Sequence, residues 1–287
     1  MLLLLASNPV PMSQVPNVTL HDGIEIPQLG FGVFQVPPDD TENVVEQALE
    51  VGYRHIDTAA AYRNEKGVGK AVANSGIPRE EIFVTTKLWN SNQGFDSALA
   101  TFEKSLGRLG MEYVDLYLIH WPVPSQDRFV ETWRAFERIR DEGRARTIGV
   151  SNFRIDDLER LEAETDTRPT VNQVELHPYM QQRRLRAWHQ QHGIATEAWS
   201  PLAQGAVLDD DTIADIARTH GKTPAQTVLR WHLQLGNIVI PKSVTPARMR
   251  ENFDEFDFDL SEPEMDRIGA LDRAERIGPD PAIFALA

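Results

Sequence analysis

The chain has 287 residues, 41% of them hydrophobic and 25% charged, a balance that can bury a substantial core without staples. Its formal net charge of −14 argues against a uniform nucleic-acid-binding surface and against adhesion to anionic membranes. There are no cysteines, so disulfides, thiolate metal sites and cysteine nucleophiles are excluded.

The first residues, Met1 to Pro9, are apolar but short and lack the basic flank of a signal peptide. Residues 1–15 are therefore expected to be a start-site extension or disordered arm. No other stretch is long enough to span a bilayer, which points to a cytoplasmic protein. Val18 to Leu20 and Glu25 to Pro27 flank Asp22-Gly23, a short hairpin signal. Leu29 to Phe34 reads as a first buried strand, ended by Pro37-Pro38, and Thr41 is placed to cap the next helix.

From there strands and helices alternate. Predicted strands run over 53–57, 82–86, 114–119, 147–150, 170–174, 194–199 and 237–240. Between them, apolar residues recur at spacings of three and four, as in Leu99, Phe102, Leu106 and Leu109 before Gly110. Thr245-Pro246 predicts a capped helix, and Ser261 to Glu264 is a capping-box signal for the last one. About eight strand–helix units with no linker predict one (β/α)8 barrel over 16–287. The hairpin would lie across its bottom, and extra helices near its C-terminus. A doubly wound open sheet is the rival architecture.

Polar residues collect at the strand ends. Asp57, Lys87, His120, Ser151, Asn152, Gln173, Trp199, Ser200, Lys242 and Ser243 all lie at or just past the carboxyl end of a predicted strand, and a barrel brings those ends to one face. Tyr62 follows Asp57 by five residues. A phenol has a pKa of about 10, and a nearby ammonium such as Lys87 would lower it. Asp57 would orient Lys87, and His120 could hold a carbonyl oxygen or share the proton transfer. A purely structural ion pair is the other reading of Asp57 and Lys87. His177, at the end of its own strand, is read as structural.

Other chemistries fit less well. No His-x-x-x-His pair and no cysteine suggest a metal, so none is expected. Ser151, His120 and Asp57 could make a triad, but no Gly-x-Ser-x-Gly elbow presents the serine. Gly67-Val68-Gly69-Lys70 is neither a dinucleotide fingerprint nor a P-loop. The clearest anion site is Lys242 to Arg248, where two cations flank a helix start. Ser151, Asn152 and Gln173 suit a carboxamide, and Trp199 could stack on a flat ring. Phe34, Trp89 and Trp121, with Phe284 from the tail, are candidate apolar walls of a substrate pocket.

The motifs together resemble one family. They are Leu29-Gly30-Phe31-Gly32, His55-Ile56-Asp57-Thr58-Ala59 with Tyr62, Thr85-Thr86-Lys87-Leu88-Trp89, and Asp115 to Pro122. Ile148 to Phe153, Asn172-Gln173-Val174-Glu175, Trp199-Ser200-Pro201-Leu202 and Ile240-Pro241-Lys242-Ser243 complete the set. From about Pro16 to Phe284 the chain resembles the aldo-keto reductases, and its tail looks like that of the prokaryotic 2,5-diketo-D-gluconate reductase-like branch. The resemblance implies a catalytic tetrad of Asp57, Tyr62, Lys87 and His120. It also implies NADPH, with NADH bound more weakly. Ser151, Asn152 and Gln173 would hold the carboxamide, with Trp199 beneath the nicotinamide. Ser200, Leu202 and Gln204 would line the pyrophosphate. Lys242, Ser243, Arg248, Glu251 and Asn252 would hold the adenosine end. Trp199 stands where animal members usually have tyrosine, and Val244 replaces a larger residue of some members. The implied activity is reduction of aldehyde or ketone carbonyls, including small aldehydes, α-dicarbonyls and keto-sugars, by a monomer with no obligate partner. A nucleotide-binding redox sensor of the same fold is the alternative.

Overall fold

The computed structural model describes residues 15–286, so the expectation for the first residues lies outside the described residues except at Val15. A two-stranded hairpin comes first, β1 (Asn17–Thr19) against β2 (Glu25–Pro27). Eight parallel strands follow: β3 (Phe31–Gly32), β4 (His55–Asp57), β5 (Phe83–Leu88), β6 (Val114–Ile119), β7 (Ala145–Ser151), β8 (Val171–Glu175), β9 (Ala195–Trp199) and β10 (Ile238–Val239). Each pairs with the next in sequence. The ring closes where Gly30 N–H donates to the Val239 carbonyl at 2.8 Å and Val239 N–H donates to that of Gln28 at 2.9 Å.

Helices cover the outside. α1 (Pro38–Val51), α2 (Glu65–Asn74), α3 (Phe95–Leu109), α4 (Phe129–Asp141), α5 (Ile155–Glu164) and α6 (Arg183–His192) each follow one strand. α7 (Asp211–His220) and α8 (Pro224–Gln234) both lie between β9 and β10. α9 (Pro246–Phe253) and α10 (Glu262–Gly269) follow β10. Every residue of β5 and β6 is buried, because helices cover one face and the barrel interior the other. α3 buries Ala98, Phe102, Leu106 and Leu109 on one stripe and ends at Gly110, whose φ is 65°. Burying each of its large apolar side chains contributes about 1.5–3 kcal/mol.

The barrel interior has two levels. At the amino ends of the strands, Phe83, Val171 and Ile238 cluster with Leu20 and Ile26 of the hairpin, which plugs that end, and Leu116 and Leu118 continue the cluster inward. At the carboxyl ends the interior turns polar, and the candidate site lies there.

Local details depart from the sequence reading in two places. The prolines that follow the first strand also open α1, with Pro38 in its first turn, where a missing N–H costs nothing. Thr41 does not cap that helix but sits within it, its hydroxyl donating to the Pro37 carbonyl at 2.8 Å. Thr245 also makes no side-chain cap; its own N–H instead donates to Ser243 Oγ at 3.1 Å. Gly67 and Gly69 lie within α2 and have a packing explanation. A Cβ on Gly69 would lie 1.9 Å from the Leu109 carbonyl oxygen, so glycine lets α2 approach α3.

Candidate active site

β4 delivers Asp57 to the rim, and the chain then turns through a single 3-10 turn, Ala60–Tyr62. Buried Asn64 fixes that turn. Its Oδ1 accepts from the Thr58 hydroxyl at 2.8 Å, and its Nδ2 donates to the Val33 carbonyl at 2.9 Å. The half-buried Tyr62 ring then packs between Phe34, with centroids 5.1 Å apart, and His120 at 5.7 Å.

Lys87 near the end of β5 is wholly buried, and its ammonium has three partners. It donates to Asp57 Oδ1 at 2.6 Å and to the Thr58 carbonyl at 3.0 Å, with a longer contact of 3.5 Å to the Tyr62 hydroxyl. Asp57 Oδ2 accepts from Gln173 Nε2 at 2.9 Å. The carboxylate is thus bracketed by β5 and β8, and the ammonium is aimed at the phenol.

The electrostatics decide the protonation states. Burial alone would depress the Lys87 ammonium, but Asp57, Tyr62 and Glu197 raise it above its ordinary range, so it stays charged. Burial pushes the Tyr62 phenol above its ordinary value, and Lys87 draws it only part of the way back. Lys87 thus acts in the expected direction, but its pull is outweighed by burial. Desolvation wins because the ring packs between Phe34 and His120, so the Tyr62 phenol is protonated near neutral pH. Burial, then the charge of Lys87, drives the His120 imidazole well below its ordinary value, and the ring is neutral. His120 Nδ1 has no partner among the described residues.

Beside this cluster lies a flat shelf. Trp199 is half-buried, and its Nε1 donates to Asn152 Oδ1 at 2.8 Å. Asn152, with φ of 64°, also donates from Nδ2 to the His120 carbonyl and to Ser151 Oγ, each at 3.0 Å. Ser151 Oγ donates to the Gln173 carbonyl at 2.8 Å. Ser151, Asn152, Gln173 and Trp199 therefore form one hydrogen-bonded group next to the tetrad. Ser200, Leu202 and Gln204 follow in a tight turn in which Ser200 and Gln204 take left-handed φ values of 50° and 53°.

Farther around the rim, Lys242 and Arg248 are exposed, and neither has an acidic partner among the described residues. Ser243 and Asn252 are buried beside them. Glu251 accepts from the Thr223 hydroxyl at 2.7 Å. Two unpaired cations in a chain of charge −14 fit an anionic group.

Aromatic side chains bound the opening. Trp89 stands edge-on to His120 with centroids 5.2 Å apart, Trp121 lies 4.4 Å from Phe284, and Phe284 lies 6.4 Å from Trp89. Phe34 is 51% exposed at the mouth. The four proposed walls thus surround Tyr62 and His120. His177 is engaged elsewhere, with Nε2 3.1 Å from Glu175 Oε1, as a structural residue would be.

Three residues were missed. Asn64 holds the tyrosine turn. Glu175 anchors the tail. Glu197 lies fully buried under the tetrad, where Gln173 Nε2 donates to its Oε2 at 2.9 Å. Its carboxyl is pushed up to about 8 by burial and then by the charge of Asp57. The signal for Glu197 was strand alternation: in β9 it shares a face with Trp199.

This barrel and rim have counterparts among known proteins. A model of the aldo/keto reductase family matches residues 28–273, and the chain belongs to that family. It is 59% identical over 269 residues to an aldo-keto reductase of Mycolicibacterium smegmatis, covering 94% of this chain and 98% of the relative. It is 52% identical over 269 residues to the Escherichia coli methylglyoxal reductase DkgA, covering 93% and 97%. The crystal structure of a Gox0644 variant in complex with NADPH superposes with a TM-score of 0.92 at 49% identity, covering 96% of this chain and all of the other.

Proposed function

We propose that the protein reduces aldehyde and ketone carbonyls with NADPH, acting on small aldehydes, α-dicarbonyls and keto-sugars such as 2,5-diketo-D-gluconate. The observation that carries this reading is the position of Lys87 Nζ between Asp57 Oδ1 and the Tyr62 hydroxyl, 2.6 Å and 3.5 Å away. Reduced nicotinamide supplies the hydride to the carbonyl carbon. Tyr62 donates its proton to the carbonyl oxygen as charge develops there. Lys87 stabilises the phenolate left behind, and Asp57 keeps Lys87 oriented. Neutral His120 holds the carbonyl oxygen by a hydrogen bond and does not compete as an acid.

The cofactor assignment rests on the same rim. Trp199 offers a ring face for stacking. Because Gln173 Nε2 is committed to two carboxyl groups, its amide oxygen is the end left for the carboxamide, beside Ser151 and Asn152. Ser200, Leu202 and Gln204 line the pyrophosphate. Lys242 and Arg248 take the 2′-phosphate, with Ser243, Glu251 and Asn252 around the adenosine; this arrangement favours NADPH over NADH. The names of the E. coli relative, a methylglyoxal reductase, and of the NADPH complex support the reading. Phe34, Trp89, Trp121 and Phe284 form the substrate walls. The barrel rim by itself supplies every residue this reading needs, so a monomer would suffice.

The test is NADPH oxidation with methylglyoxal, a simple aldehyde and 2,5-diketo-D-gluconate, alongside the Tyr62→Phe variant. The variant should bind NADPH like the parent, with turnover reduced by about 10²–10⁴-fold. Near-normal turnover would remove Tyr62 as the proton donor.

A further inference from the structure

Glu175 is a wholly buried carboxylate at the rim that the reduction does not use. It accepts from four donors. His177 Nε2 lies at 3.1 Å, the Ile277 and Gly278 backbone N–H groups at 2.6 and 3.2 Å, and Arg276 Nη1 at 3.4 Å. Three of these donors belong to the C-terminal tail. Without the tail, the carboxylate would keep only His177 among these partners and would have to take its other hydrogen bonds from water. Three hydrogen bonds, one of them from a cationic side chain, therefore tie the tail to this one group. Together these donors outweigh the desolvation that opposes charge, and the carboxyl sits below its ordinary range.

What the tail does there follows from the sheet register. Glu175 in β8 pairs with Trp199 in β9. The same contact that satisfies Glu175 lays Gly278 against the far edge of the indole. A Cβ on Gly278 would lie 2.3 Å from Trp199 Cη2 and 3.1 Å from Cζ3, so only glycine allows this approach. The opposite edge of the indole is held through Nε1 by Asn152 at 2.8 Å. Beyond Gly278 the tail carries Phe284 onto Trp121, and the Leu286 carbonyl accepts from Asn90 Nδ2 at 2.8 Å. The tail is pinned at two points, one beside the stacking ring and one beside the substrate walls.

We propose that Glu175 is a positioning residue that latches the C-terminal tail at Ile277 and Gly278, so that the tail clamps the edge of Trp199 and holds Phe284 across the substrate opening. The proposal rests on the reading of Trp199 as the nicotinamide-stacking surface. It makes cofactor affinity and substrate fit depend jointly on one carboxylate that touches neither molecule.

The experiment compares Glu175→Gln, Gly278→Ala and Asn90→Ala in the full-length chain. Glu175→Gln presents an amide N–H₂ where the tail offers donors. It should weaken NADPH binding, read by quenching of tryptophan fluorescence, and raise the carbonyl KM, each by about tenfold, with kcat changed much less. Tryptic cleavage after Arg276 should accelerate. Gly278→Ala should weaken NADPH binding with Glu175 intact, which keeps the test valid if Glu175→Gln fails to fold. Asn90→Ala frees only the far end and should raise the carbonyl KM at unchanged NADPH affinity. Parental NADPH affinity and protease resistance in Glu175→Gln would overturn the latch. Parental affinity in Gly278→Ala would overturn the clamp. Trp199→Ala separates the two readings: unchanged NADPH binding there would overturn the stacking assignment and the cofactor half of the proposal, whereas tail release in Glu175→Gln reports on the latch alone.

Discussion

Gln173 Nε2 donates to Asp57 Oδ2 at 2.9 Å across the inside of the barrel. The same nitrogen donates to Glu197 Oε2 at 2.9 Å, so one amide separates two buried carboxyl groups. Gln173→Leu deprives Asp57 Oδ2 and Glu197 Oε2 of this donor, while Asp57 Oδ1 keeps Lys87. The expected cost is about 1–3 kcal/mol in stability, seen by thermal or urea unfolding. NADPH affinity should fall as well, because the amide oxygen is lost. A variant that unfolds like the parent would refute the bridge.

Lys87 and Asp57 are a buried ion pair, and their removal separates stability from catalysis. Lys87→Met alone strands the Asp57 charge and should cost about 3–5 kcal/mol. The double variant Asp57→Asn/Lys87→Met removes both charges and should regain much of that stability. Its turnover should stay at least about 10²-fold below the parent, because nothing then stabilises the Tyr62 phenolate. Recovery of turnover along with stability would show the pair to be structural.

Glu197 predicts a pH dependence of stability. Its carboxyl titrates at about 8 in the folded protein, against an unfolded value of about 4.3. Folding therefore binds a proton between these values. The stability this group contributes is complete below the unfolded pKa and is lost as pH rises through the folded one. Glu197→Gln removes that slope. From pH 5 to pH 8, the melting temperature of the variant should gain on that of the parent; parallel curves would count against a neutral Glu197.

Arg248 is exposed and free of any acidic partner among the described residues, so its truncation should leave the fold intact. Arg248→Ala should weaken NADPH by about tenfold or more through loss of a charge-assisted hydrogen bond, with NADH little changed. Equal losses for the two nucleotides would sink the 2′-phosphate assignment.

The rim was legible because a polar residue ending an apolar strand is conspicuous. Lys87 lies next to last in a strand buried at every position, and Gln173 interrupts a strand equally buried. Alternation could have carried the reading inward. His55 shares a face with Asp57, and Glu197 with Trp199; both lie beneath the tetrad. The sign of the Tyr62 shift was not legible, since a sequence shows which charges are near but not how much water remains. Nor was the start of α1, because a proline pair serves equally as a stop and as a first turn. The partnership of Glu175 with Gly278 depends on where a tail docks after the barrel strands and their helices have packed.

The closing seam of the barrel has a consequence for how the chain acquires its structure. Gln28 Nε2 donates to the Asn237 carbonyl, a partner 209 positions later. At synthesis rates of about 5–20 residues per second, the first barrel strand waits on the order of 10–40 s for the last. Until then both ends of the sheet are unpaired edges, open to a second chain. Pairings of such long range also make refolding slow compared with that of a helical bundle. The interval most hazardous to this protein is thus late synthesis, when nearly all of its core exists and its ring is still open.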